Sequence, residues 1–104
     1  MTENAPIRFR DGRLYISREA YDTYFDGGGA VALLRNGSDL LVLPVRHAAA
    51  GGYILKIRNS AGDRVVTAPD FFHAGGITET ASWDGAMAWS KERAAVALYG
   101  FFRR

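Results

Sequence analysis

Apolar and polar positions alternate with a period of two at the start of the chain. Ile7 and Phe9 point one way while Arg8 and Arg10 point the other, and after Asp11-Gly12 the alternation resumes over Arg13 to Ile16. Asp-Gly between two such runs predicts a tight hairpin turn, because both of its residues tolerate positive φ. The spacing then lengthens. Ala20, Tyr21, Tyr24 and Phe25 recur at helical intervals behind Ser17, whose hydroxyl can accept a bond from the first helical turn, so a helix is expected over Arg18 to Phe25, stopped by Gly27-Gly28-Gly29. Ala30 to Leu34 and Leu40 to Val45 are two apolar runs joined by Asn36-Gly37-Ser38-Asp39, the strongest short hairpin signal in the chain.

Residues 47–52 are small and form the only candidate linker. Beyond them the same order of signals returns. Tyr53 to Arg58 is expected as a strand, Asn59 to Asp63 as a turn, and Arg64 to Thr67 as a short strand. Pro69 opens a helical turn through Phe71 and Phe72 that Gly75-Gly76 stops, and Ile77 to Trp83 and Ala86 to Trp89 flank Asp84-Gly85 as a second hairpin. Ser90 can cap a helix over Lys91 to Tyr99, with Ala94, Ala95, Leu98 and Tyr99 as its apolar stripe and Gly100 as its stop before Phe101-Phe102-Arg103-Arg104. The ten residues from Gly12 to Tyr21 match those from Asp63 to Phe72 in polarity at nearly every position, an offset of 51 residues. A period near half the chain suggests duplication. The expected organisation is one domain over residues 1–104, with an internal repeat at 7–46 and 53–90 and a C-terminal helix and tail at 90–104.

Gly12-Arg13-Leu14-Tyr15-Ile16-Ser17-Arg18-Glu19-Ala20-Tyr21, followed by a short helix, glycines and an Asn-Gly hairpin, resembles the swapped-hairpin barrel of the AbrB, MazE and MraZ proteins. Gly62-Asp63-Arg64-Val65-Val66-Thr67-Ala68-Pro69-Asp70 is similar to the same pattern. The resemblance covers roughly residues 7–90. It departs where the MraZ-like signature has an aspartate four residues before the arginine, since Phe9 and Ser60 stand there. What it implies is a mainly β fold, a duplicated swapped-hairpin-type barrel with short helices, that associates with itself and binds DNA as a small regulator or antitoxin-like protein.

Composition sharpens this reading in three ways. The chain has no cysteine, which excludes disulfides, thiolate metal sites and cysteine nucleophiles. No apolar run is long enough to span a bilayer and the N-terminus lacks the pattern of a secretory signal, so a cytoplasmic protein without membrane partners is expected. The net charge of +2 is small, but Lys56 and Lys91 are the only lysines, so the positive charge is almost entirely guanidinium, which suits bidentate contact with phosphate or carboxylate.

Alternation puts Arg8 and Arg10 on one strand face, beside Arg13, and Lys56 and Arg58 repeat the arrangement beside Arg64; these six are the candidate nucleic-acid contacts. Arg46 and His47 with Gly51 and Gly52 could form an anion-binding loop, although no P-loop or dinucleotide fingerprint is present. His47 and His73 are the only histidines and stand in no metal-ligand spacing, and Ser60, His73 and Asp70 lack the sequence frame of a nucleophile. Neither an enzyme nor a cofactor is expected. The alternative to DNA is a protein partner, an accessory or assembly role served by the barrel edge and by Phe101 and Phe102.

Overall fold

The computed structural model describes residues 5–46 and 51–103. The fold is mainly β, built from two antiparallel sheets. β1 (Ile7–Arg10) and β2 (Arg13–Ile16) form the first hairpin, with Arg10 opposite Arg13 and both turn residues, Asp11 and Gly12, at positive φ as the sequence requires. Ser17 Oγ accepts from the Ala20 amide at 3.1 Å and starts α1 (Arg18–Ala20). The helix continues as a single π-helical turn over Tyr21–Phe25 and ends at Asp26, in the left-handed region at φ 38°. The Tyr21 hydroxyl donates to the Gly28 carbonyl at 2.7 Å. That bond ties the exit of the helix back to its start, and a Cβ at Gly28 would meet the Phe25 carbonyl at 2.9 Å.

β3 (Ala30–Asn36) and β4 (Asp39–Val45) form the second hairpin, closed by Gly37-Ser38. The chain then supplies β5 (Tyr53–Ile54), β6 (Lys56–Ile57), β7 (Arg64–Thr67) and α2 (Pro69–Ala74). It ends in β8 (Met87–Ser90) and β9 (Ala95–Leu98). The first sheet has the order β1-β2-β7-β6 and the second β5-β3-β4-β9-β8, so each half of the chain contributes a pair of adjacent strands to each sheet.

Three expectations change. Tyr53 to Arg58 is not one strand but two short ones in different sheets. β5 pairs with β3 and β6 with β7, and between them Leu55 is buried and donates its amide to Gly29 at 2.9 Å. Because each arm is two residues long and the ladder breaks at Leu55, the described residues do not form one closed barrel; the opposite margin is joined only by the Phe9–Trp83 bridge, with bonds of 2.7 and 3.0 Å. Ile77 to Trp83 is irregular apart from that bridge, and the last hairpin turns at 91–94 rather than at Asp84-Gly85.

The third change is the C-terminal helix over Lys91 to Tyr99, which is a turn followed by β9. Ser90 Oγ does accept from the Arg93 amide, at 3.3 Å, the contact a helix cap would make. All four residues of β9 are nevertheless buried, between β4 on one side and β8 on the other. A short apolar run covered on both faces satisfies its backbone polar groups only by pairing with both neighbours, and the helical stripe in Ala94, Ala95, Leu98 and Tyr99 gives way to that demand.

The core lies between the sheets. Ile7, Phe9, Leu14 and Ile16 from the first hairpin meet Val31, Leu33, Leu40 and Val42 from the second, together with Val66, Phe72, Val96 and Leu98. Phe101 and Phe102, expected as an interaction tail, belong to this core, at 0% and 7% exposure. The Phe101 ring stands 5.3 Å from that of Phe9 and 5.8 Å from that of Phe72. The Phe102 amide donates to the Ser38 carbonyl at 2.8 Å, fastening the C-terminal segment to the β3–β4 turn. Aromatic area of this size gains more by packing on the chain's own core than by waiting for a partner.

A candidate nucleic-acid interface

In the first sheet the inward positions of β1 and β2 are Ile7, Phe9, Leu14 and Ile16, so Arg8, Arg10, Arg13 and Tyr15 face outward. Register carries this face across the whole sheet. Arg8 lies opposite Tyr15, Tyr15 opposite Val65, and Val65 opposite Lys56, one row spanning four strands. A second row runs Arg10, Arg13, Thr67. Arg58 follows β6 and its guanidinium carbon sits 4.7 Å from the centre of the Tyr15 ring, with that of Arg8 at 5.7 Å. Five of the six candidate cations, Arg8, Arg10, Arg13, Lys56 and Arg58, therefore belong to one outer face, three from one half of the chain and two from the other.

Arg64 is placed differently. It pairs with Ile16, an inward position, and its guanidinium lies 3.9 Å above the Tyr21 ring while donating to the Gly62 carbonyl. Arg13 and Arg64, matched by the 51-residue offset, thus sit on opposite faces of their sheet. Strand parity is the cause. In the β2–β7 ladder the buried residue facing Leu14 is Val66, one position beyond the Val65 that the offset selects.

The electrostatics of the outer face are one-sided. Like charges directly opposite on neighbouring strands are unfavourable, and Arg10 and Arg13 are such a pair. Arg10, Arg13, Lys56 and Arg58 take part in no ion pair among the described residues, where the one ion pair joins Arg18 to Asp22 at 3.5 Å in an exposed setting worth little to stability. Among the described residues, carboxylates stand at the ends of the face. Asp11 and Glu79 border the β1–β2 turn, in a cleft with Arg13, Thr67 and His73.

Asp63 borders the other end and was not a candidate from the sequence. It accepts from the Arg18 amide at 2.8 Å through Oδ1 and from the Asn59 side-chain amide at 3.0 Å through Oδ2, while its own amide donates to Asn59 Oδ1 at 3.2 Å. These bonds hold the 59–63 turn against the start of α1. They also lower the Asp63 pKa below its ordinary 3.8, the Asn59 bond first and the Arg18 amide next; burial opposes the shift, and Arg58 and Arg8 add to it. A depressed carboxylate stabilises the fold above its unfolded-state pKa and loses that contribution as pH falls through the folded value. The stability advantage of the wild type over Asp63→Asn in urea unfolding is accordingly expected near pH 6 and to shrink steadily as pH falls below about 4 through the depressed folded value. An advantage that does not change with pH would remove the charge from this account.

The remaining candidates do not converge. His47 lies outside the described residues; Arg46 is exposed at the end of β4, Gly51 has φ 93°, and Gly52 lines a shallow surface cleft with Tyr53, Ile54 and Lys56. Ser60 is exposed in the 59–63 turn, whereas Asp70 and His73 belong to α2, and His73 lines clefts with Glu79 and not with Ser60. Among the described residues no group of three or more His, Asp or Glu side chains could hold a metal ion, and no helix is long and apolar enough to cross a membrane. Tyr15, the residue at the centre of the basic face, was legible in the alternation as outward, but nothing in the sequence marked it as the ring on which arginines from both halves meet. Comparison of the chain with family models, with curated proteins and with solved structures finds no match.

Proposed function

We propose that the outer face of the first sheet binds the phosphate backbone of DNA, and that the protein is a small DNA-binding regulator. One observation carries the reading: Arg8, Arg10, Arg13, Lys56 and Arg58 share one sheet face, with Arg10 set directly against Arg13 and no carboxylate along its strands. Folding alone gains nothing from a like-charge pair in a ladder, whereas a polyanion converts it into two phosphate contacts.

Geometry also favours backbone over base contact. Four strands about 4.8 Å apart make a sheet about 14 Å wide before side chains are counted, and a B-DNA major groove about 12 Å wide admits a two-stranded ribbon but not this sheet. The face therefore lies across phosphates, and discrimination among sequences is weak unless the Asp11-Gly12 hairpin tip enters a groove. Titrating a fluorescent duplex at several salt concentrations tests this. Five phosphate contacts give a slope of log affinity on log salt of about −4.5. Absence of binding at micromolar protein in low salt, or binding indifferent to salt, would overturn the proposal.

A protein partner is the second reading, and one observation favours it. Ile54 and Ile57 are 63% and 66% exposed on the two short arms of the sheet-switching segment, beside strand edges that a partner strand can extend. Phe101 and Phe102 no longer support it, because they are buried in the core.

A further inference from the structure

Four strands stand at sheet margins: β1, β5, β6 and β8. β5 and β6 are two residues long, and β1 gives its Phe9 amide and carbonyl to Trp83. β8 keeps a free side of four residues, since β9 is the only described element that runs alongside it. The Tyr99 amide donates to the Ala86 carbonyl at 3.0 Å and so sets the phase of the β8–β9 ladder: Ala88 and Ser90 turn their backbone groups toward β9, while Met87 and Trp89 turn theirs outward. The side chains of Met87 and Trp89 lie on the core side, opposite Leu98 and Val96, and the Trp89 ring stacks on Tyr24 at 6.0 Å while remaining 39% exposed. Ala88 lies on the outer side, opposite Ala97.

Exposed edges are ordinarily guarded by a charge, a proline or a bulge. Residues 85–90 carry neither a charge nor a proline, and the β8 register runs without a bulge. We propose that β8 pairs with β8 of a second copy of this chain, antiparallel about a twofold axis at Ala88, joining the two sheets edge to edge. The edge is complementary to itself in three respects. An axis at Ala88 sets Met87 of each copy against Trp89 of the other, the register that matches both outward residues of one strand with both of its partner's and closes two pairs of backbone bonds. The same register lays a Met sulfur beside each exposed Trp ring, and the two Ala88 methyls meet where Cα atoms approach to about 4.5 Å. Antiparallel pairing also brings the 91–93 turn, where Lys91 and Arg93 outnumber Glu92, beside Asp84 of the other copy. The inference does not depend on the DNA reading.

Analytical ultracentrifugation of the full chain is the first test. The contact is short and belongs to the weak class of interfaces, so the chain is expected to sediment as a monomer at about 1 µM and as a dimer approaching about 1 mM. Ala88→Glu sets two carboxylates face to face on the axis and is expected to raise the dissociation constant about tenfold or more, and Ala88→Lys to do the same with two ammonium groups. Mixing the two variants puts opposite charges on the axis and is expected to restore the dimer. A merely structural role for Ala88 would give no such rescue. A wild type that stays monomeric at about 1 mM, an Ala88→Glu variant that associates as wild type does, or a mixture no tighter than its components would overturn the inference.

Amide hydrogen exchange of the wild type reads the register directly and decides alone if either variant fails to fold. The Met87 and Trp89 amides are expected to exchange about fivefold more slowly at about 1 mM than at about 20 µM, because only the dimer bonds them. The Ala88 and Ser90 amides, already turned toward β9, should exchange alike at both concentrations. Protection that rises with concentration in β5 or β6 instead, or that leaves Met87 and Trp89 unchanged, would place the contact elsewhere and overturn the pairing.

Discussion

Phe101→Ala is expected to destabilise the protein by about 3–5 kcal/mol, the cost of removing a fully buried aromatic ring and leaving a cavity. The ring touches four others: Phe9 at 5.3 Å, Phe72 at 5.8 Å, Trp83 at 6.0 Å and Phe102 at 5.0 Å. Its neighbours are themselves constrained and cannot collapse into the space. Phe9 sits in the β1 ladder, Phe72 is in α2, and Phe102 presses on Gly75, where a Cβ would meet its ring at 2.7 Å. For a domain of this size the loss lowers the melting temperature by at least about 12 °C, taking roughly 4 °C per kcal/mol. Urea unfolding of the variant checks it. A midpoint within error of wild type, joined by a change in oligomeric state, would restore these phenylalanines to the role of a docking tail. It follows that a chain cut after Tyr99 is a poor probe of partner binding, since the cut removes core.

Reversing the charge of the opposed pair, Arg10→Glu with Arg13→Glu, is expected to lower DNA affinity by about two orders of magnitude at 0.1 M salt and to reduce the magnitude of the salt slope by about 2, one unit for each lost phosphate contact. The loss should be uniform across DNA sequences, because these contacts are to backbone. Stability should fall by no more than about 1 kcal/mol, for both side chains are exposed and one like-charge pair replaces another, with Asp11 and Glu79 near the new carboxylate at position 13. Fluorescence anisotropy against duplexes of unrelated sequence, with circular dichroism melts of the same preparations, reads both quantities. Unchanged affinity in the double variant, with the melt intact, would assign the basic face to solvent alone.

The alternation in Ile7 to Ile16, the Asp11-Gly12 turn and the Asn36-to-Asp39 turn are local signals. Each strand of those hairpins finds its partner a few residues away, so the mainly β class, the first two hairpins and the outward set Arg8, Arg10 and Arg13 were legible in the sequence. The helix behind Ser17 and the one opened by Pro69 were legible for the same reason, since cap, helix and glycine stop lie within one or two turns of each other. Ala95 to Leu98 was not, because four apolar residues suit a helix stripe or a buried strand equally until β4 and β8 close on both sides.

The split of Tyr53 to Arg58 between two sheets, the burial of Phe101 and Phe102, and the facing of Arg64 were likewise settled by the tertiary structure. In each case the deciding partner is distant in the chain: Gly29 for Leu55, Phe9 and Ser38 for the phenylalanines, Ile16 for Arg64. A period of two assigns a residue to one side of its own strand and says nothing about which strand lies beside it. Pairing between remote strands is therefore what brings Arg8 and Arg58 onto one tyrosine and gives the molecule its basic face.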